Sequence, residues 1–149
     1  MNDGLLGGAG ATLTRRFRES PDVLFHAFTD PERLLQWWCP YGFRTEAIDF
    51  PAITGRGYSV ALRADDGALW VHEGVFLVVD PPHRLSYTWR WTTGPLSRHE
   101  SLVEIRFEAV VGGTDVTIAH TRFDAPDEAS AHERGWLDAC ERLERLLAP

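Results

Sequence analysis

No stretch of this 149-residue chain approaches the length of apolar run that a membrane-spanning helix needs. Cysteine is scarce. Cys39 and Cys140 lie far apart with no C-x-x-C, so there is no disulfide framework, and two reduced thiols are expected. Basic residues are outnumbered 15 to 22, and the net charge of −7 opposes attraction to nucleic acid or to an anionic membrane. The nearest approach to a basic cluster, Arg15, Arg16 and Arg18, is interrupted by Phe17. The opening M-N-D-G-L-L-G-G-A-G lacks a basic n-region and a long apolar core, so no secretory signal is expected and the protein is placed in the cytoplasm. Residues 1–10 read as a flexible tail ahead of a single domain over 11–149. Internal repeats, low-complexity blocks and Pro/Ser linkers are absent.

Catalytic signatures are missing as well. His-Glu occurs at His72-Glu73, His99-Glu100 and His132-Glu133, yet none extends to H-E-x-x-H. The histidines have no metal-ligand spacing, so neither a metal nor a cofactor is expected. There is no G-x-S-x-G, P-loop or G-x-G-x-x-G.

What is present is ordinary globular material, 44% apolar and 25% charged, long enough to close one core. Ala11–Arg18 reads as a first strand. S-P-D then opens a helix with Ser20 as N-cap and Pro21 at the first helical position, and D-P-E at Asp30–Glu32 opens a second. Pro40 closes that helix by disfavouring helical backbone at Cys39. From about residue 43 to 122, Gly- and Pro-rich turns separate runs of period-2 alternation. The runs are Tyr58/Val60/Leu62, Trp70/His72/Phe76/Val78, Leu85/Tyr87/Trp89/Trp91, Val103/Ile105/Phe107/Ala109 and Val116/Ile118/His120. They predict an antiparallel meander with one apolar and one polar face, which needs a cover. Pro126-Asp127-Glu128 starts the element that supplies it. Ala129, His132, Trp136, Cys140, Leu143 and Leu147 form one stripe along a helix of about twenty residues. Leu34, Trp37 and Trp38 form a shorter stripe that docks the small helices, and one of the two indoles is expected to face inward toward a pocket rim.

These pieces resemble a known family. S-P-D-V-L-F-H-A-F-T-D-P-E-R-L-L-Q-W-W, then E-G-V-F-L-V-V-D-P-P-H-R-L-S-Y-T-W-R-W, G-G-T-D-V-T-I-A-H and the G-W of the last helix are similar to the SRPBCC superfamily (START/Bet v 1-like). Within it, the chain resembles the branch named after the activator of Hsp90 ATPase (AHSA1-like), over residues 12 to 147. A P-G-G turn usual in that branch is replaced by Pro51–Tyr58, P-A-I-T-G-R-G-Y. The resemblance implies an α+β helix-grip fold: a curved antiparallel sheet of six to seven strands around a long C-terminal helix, with two short helices after strand 1. It also implies a deep pocket between sheet and helix.

The aromatic row on the central strands reads either as packed core or as the wall of that pocket. The candidate lining residues are Trp38, Trp70, His72, Phe76, Tyr87, Trp89, Trp91, Phe107, His120, Arg122, Trp136 and Cys140, with no catalytic set. Gly135, mid-helix beside Trp136, marks a close approach of sheet or ligand. The expected function is binding of a hydrophobic aromatic or acyl small molecule. The alternatives are a cyclase-, aromatase- or hydrolase-type enzyme using His72, His120 or Tyr87, and a chaperone-interaction module like the namesake. A homodimer through a free sheet edge is a further expectation.

Overall fold

The computed structural model describes residues 9–149, so most of the expected tail lies outside the described residues. The first strand begins at Ala9, two residues earlier than the alternation indicated. In chain order the elements are β1 (Ala9–Phe17), α1 (Pro21–Ala27), α2 (Pro31–Trp37), β2 (Phe43–Asp49), β3 (Gly57–Ala64), β4 (Leu69–Asp80), β5 (Arg84–Trp91), β6 (Ser101–Val110), β7 (Gly113–Phe123) and α3 (Pro126–Leu147). The seven strands form one antiparallel sheet in the order β1-β7-β6-β5-β4-β3-β2. The last helix packs on β1 and β7 and against α2, giving the α+β helix-grip architecture.

The short helices begin where side chains cap them. Ser20 Oγ accepts from Val23 N at 3.4 Å, and Asp30 Oδ2 accepts from Arg33 N at 3.3 Å. Proline holds the first helical position in both, where its missing N–H costs nothing. No side chain caps α3; it starts on Pro126, with Asp127 and Glu128 at the positive end of its dipole.

The inward parities are buried as the alternation predicts for β3, β5 and the paired part of β7. Three strands depart from it. In β6, Val103, Ile105 and Phe107 are buried but Ala109, the last of the predicted run, is exposed. In β4 a register shift between Phe76 and Val78 turns Val79 toward the core and Val78 away. The outer side of β4 is also apolar, with Leu69, Val75 and Leu77 each exposed. In β7 the expected continuation to Arg122 fails. Arg122 adopts φ +69, which breaks the alternation, leaves its side chain exposed and buries Phe123 instead.

Candidate functional site

Trp38 follows α2, and its placement answers which of two adjacent indoles faces inward. Trp37 turns back into the helix pair: its Nε1–H donates to the Ala27 carbonyl at 3.1 Å, and its ring meets Phe28 edge-on. Trp38 points the opposite way, under α3. It lies edge-to-face with His72, Tyr87 and Trp89, and tilted against Trp136. Edge-to-face contacts fix ring orientation as well as burying area.

Above this layer a cavity of about 300 Å³ opens between the first half of α3 and strands β3 to β5. Trp38, Trp70, His72, Trp89, Trp91 and Trp136 line it, six of the residues singled out from sequence. Phe76, Tyr87, Phe107, His120 and Cys140 lie in the closed interior behind it, and Arg122 is on the surface. The wall also takes in Cys39, Pro40, Phe43, Leu62, Leu96, His132 and Gly135, none of which periodicity placed at a site. Two of them carried a usable signal: His132 as a polar residue in the apolar stripe of α3, and Gly135 as a mid-helix glycine. Residues 51–58, where the chain departs from the usual P-G-G turn, do not border the cavity. That segment instead pairs with β4, Gly55 N donating to the Phe76 carbonyl and Phe76 N to that of Arg56.

Two polar chains run through the aromatic layer, and their directions follow from what each group can donate. An indole nitrogen only donates. Trp136 Nε1–H therefore donates to His120 Nδ1 at 3.0 Å, and the His120 proton sits on Nε2. That proton goes to Ser101 Oγ at 2.8 Å, and Ser101 donates in turn to the Trp89 carbonyl at 3.0 Å. In the second chain Trp91 Nε1–H donates to His132 Nε2 at 2.9 Å, and His132 Nδ1–H donates to the Glu128 carbonyl at 2.7 Å. Each imidazole has both nitrogens engaged as a neutral ring.

His72 differs. It stacks on Trp89 with ring centroids 3.7 Å apart. The Tyr58 hydroxyl gives its proton to the Thr88 carbonyl at 2.9 Å, so it can only accept from His72 Nδ1–H at 3.3 Å. His72 Nε2 is left as a lone pair with no partner among the described residues. Burial holds His72 and His120 well below the ordinary histidine value, with the neighbouring imidazole of His132 adding to the effect. Burial lowers His132 too, opposed by its bond to the Glu128 carbonyl and by the Glu128 charge. Trp89 Nε1 is buried with no acceptor.

The thiols offer little chemistry. Cys39 Sγ donates to the Phe43 carbonyl at 3.4 Å. Burial pushes the Cys140 thiol up to about 12, far from thiolate formation. Among the described residues no group of His, Cys, Asp or Glu is placed to hold a metal ion, and no helix is long and apolar enough to cross a membrane.

The family model described as "Activator of Hsp90 ATPase homolog 1-like protein" matches residues 18–148. Among solved structures, the chain is similar to a protein from Chromobacterium violaceum at 24% identity and TM-score 0.86, covering 94% of this chain and 97% of that one. It is similar to the AHSA1 protein from Silicibacter pomeroyi at 27% identity and TM-score 0.85, covering 93% and 97%. It is also similar to DynU16, a protein in the dynemicin biosynthetic locus, at 26% identity and TM-score 0.72, covering 93% of this chain and 46% of that one. No curated protein matches the chain by sequence.

Proposed function

Because this chain belongs to the activator of Hsp90 ATPase homologue 1-like family, a branch of the SRPBCC superfamily, we propose that it binds a hydrophobic small molecule, aromatic or acyl, between α3 and the sheet. One observation carries the reading. A cleft of about 300 Å³ with five indoles in its wall opens beside α3, where the neighbouring rings are in contact with one another. It has room for roughly ten waters' share of liquid volume, and its opening gives a ligand a way in. It falls at the lower end of ligand pockets.

Acid–base catalysis has less support from the same geometry. A general base works best with a pKa near the operating pH. Burial depresses His72 and His120 and raises Tyr87, moving all three away from it. His120 is also fully hydrogen-bonded.

The test is a thermal-shift screen of the intact protein with medium-chain fatty acids and flat aromatics, followed by calorimetric titration. A ligand at a hundred times its dissociation constant adds about 2.7 kcal/mol of stability, a rise of several degrees in a protein this size. The Gly135→Leu variant, whose side chain enters the cavity mouth, should lose that rise. Saturable binding that is unchanged in this variant would place the ligand elsewhere.

A further inference from the structure

We propose that the cavity is specific for a neutral hydroxyaromatic molecule about the size of two fused rings, its O–H donating to His72 Nε2. This rests on the reading of the cavity as a ligand site and adds the chemical class.

The polar inventory of the wall leads to it. Trp91 and Trp136 spend their N–H donors on His132 and His120, and His132 has no nitrogen left. His72 lines the cavity, is 1% exposed, and keeps one lone pair at Nε2 without a partner among the described residues. Its proton is confined to Nδ1, because Tyr58 has already given its own proton to Thr88. The ring also stays neutral at physiological pH, since burial opposes its protonation. The cavity therefore presents a permanent acceptor. The indoles of Trp38 and Trp70 also line it, and neither N–H has an acceptor among the described residues.

An aromatic hydroxyl matches both. It gives its proton to Nε2, and its oxygen can accept from an indole. A carboxylate would bring negative charge to a lone pair with no cation inside; Arg134 is at the rim with its side chain in solvent. An alkyl chain would leave Nε2 desolvated and unpaired, which is costly. Flatness is set by the indole walls, which favour stacked or edge-on rings over flexible chains. The proton stays on the ligand. A phenolic group titrates near 10, whereas His72 is held below its ordinary value, so this contact recognises without ionising.

Calorimetric titration of the intact wild-type protein with 2-naphthol, 2-methoxynaphthalene, naphthalene and decanoate tests the class. The expected order puts 2-naphthol about tenfold tighter than the other two aromatics, one hydrogen bond's worth. In His72→Phe, which keeps the stack on Trp89, that preference should vanish while naphthalene binding is retained. Equal binding of the three aromatics, or binding of decanoate alone, would overturn the hydroxyl inference and leave the cavity as a ligand site. Binding of none of the four would remove both. The wild-type series decides the matter even if the variant does not fold.

Discussion

Trp136 can use its indole nitrogen only to donate, and that constraint propagates to Ser101 and the Trp89 carbonyl. Each member of the chain is buried, so removing one leaves a neighbour unsatisfied rather than returning it to water. Ser101→Ala deletes one oxygen and strands the His120 Nε2–H and the Trp89 carbonyl. It should destabilise by about 1–3 kcal/mol, read as a lower urea midpoint with an unchanged m-value. A midpoint within error of wild type would mean that water replaces the hydroxyl. His72 stands outside this chain, with its second nitrogen unpartnered among the described residues. That contrast was hidden in the sequence, where His72 and His120 occupy equivalent inward positions on their strands. The residues that take up hydrogen-bonding capacity, Tyr58 for one and Ser101 and Trp136 for the other, come from distant parts of the chain.

The pairing of β4 with β5 is interrupted at Gly74 and Val75. A Cβ there would fall 1.9 Å from the Thr88 carbonyl oxygen, so only glycine allows β5 to come this close. At this interruption Val75 N donates to Thr88 Oγ1, and the Thr88 carbonyl accepts from Tyr58. Gly74 thus sets the proton direction at His72 through one backbone approach. Gly74→Ala should cost more than about 3 kcal/mol or prevent folding, measured by chemical denaturation. Gly135 is the opposite case. A Cβ there would meet only the Pro40 Cβ at 3.9 Å, so the position has room and faces the cavity. Gly135→Ala should stabilise by up to about 1 kcal/mol, raising the melting temperature by a few degrees, because alanine is the better helix former. A loss of stability would show that the backbone at 135 needs glycine's freedom.

At the scale of the molecule, His72 and His120 from the sheet and His132 from α3 surround Trp89, all neutral. Their pKa values are lowered in the folded state, by burial first. Above the unfolded value near 6.5 both states are neutral, and the full stability is present. Below it the unfolded chain binds protons that the folded chain refuses, and stability falls as pH falls toward the folded values. The slope approaches about 1.4 kcal/mol per pH unit for each imidazole. The melting temperature should therefore fall between pH 7.5 and 5.5, before Glu46 and Asp115, which their arginine partners hold below the usual carboxylate range, lose charge. A flat profile over that interval would contradict neutral burial of the three rings. His132, in the second turn of α3 and bonded to Trp91, faces the Glu128 charge as well and should be the first of the three to protonate.

The helix starts at Ser20-Pro21 and Asp30-Pro31, the strand parities of β3 and β5, the stripe of α3 and the helix-grip architecture were all legible in the sequence. Each rests on local rules: a cap bonds three residues ahead, strand side chains alternate at every residue, and helical neighbours return every three or four. Residue periodicity could say that Trp70, Trp89, Trp91 and Trp136 point inward. It could not say whether inward meant packed or open, because the gap left under α3 depends on where the helix crosses the sheet and on the path of residues 39–43. Arg122 was misplaced for a related reason: one residue at positive φ reverses the alternation, and composition gives no warning of it. Only the tertiary structure decided which imidazole nitrogens are engaged and which indole of the Trp37-Trp38 pair faces the cavity. Hydrogen-bond partners are chosen by distance in space, and the sequence records only distance along the chain.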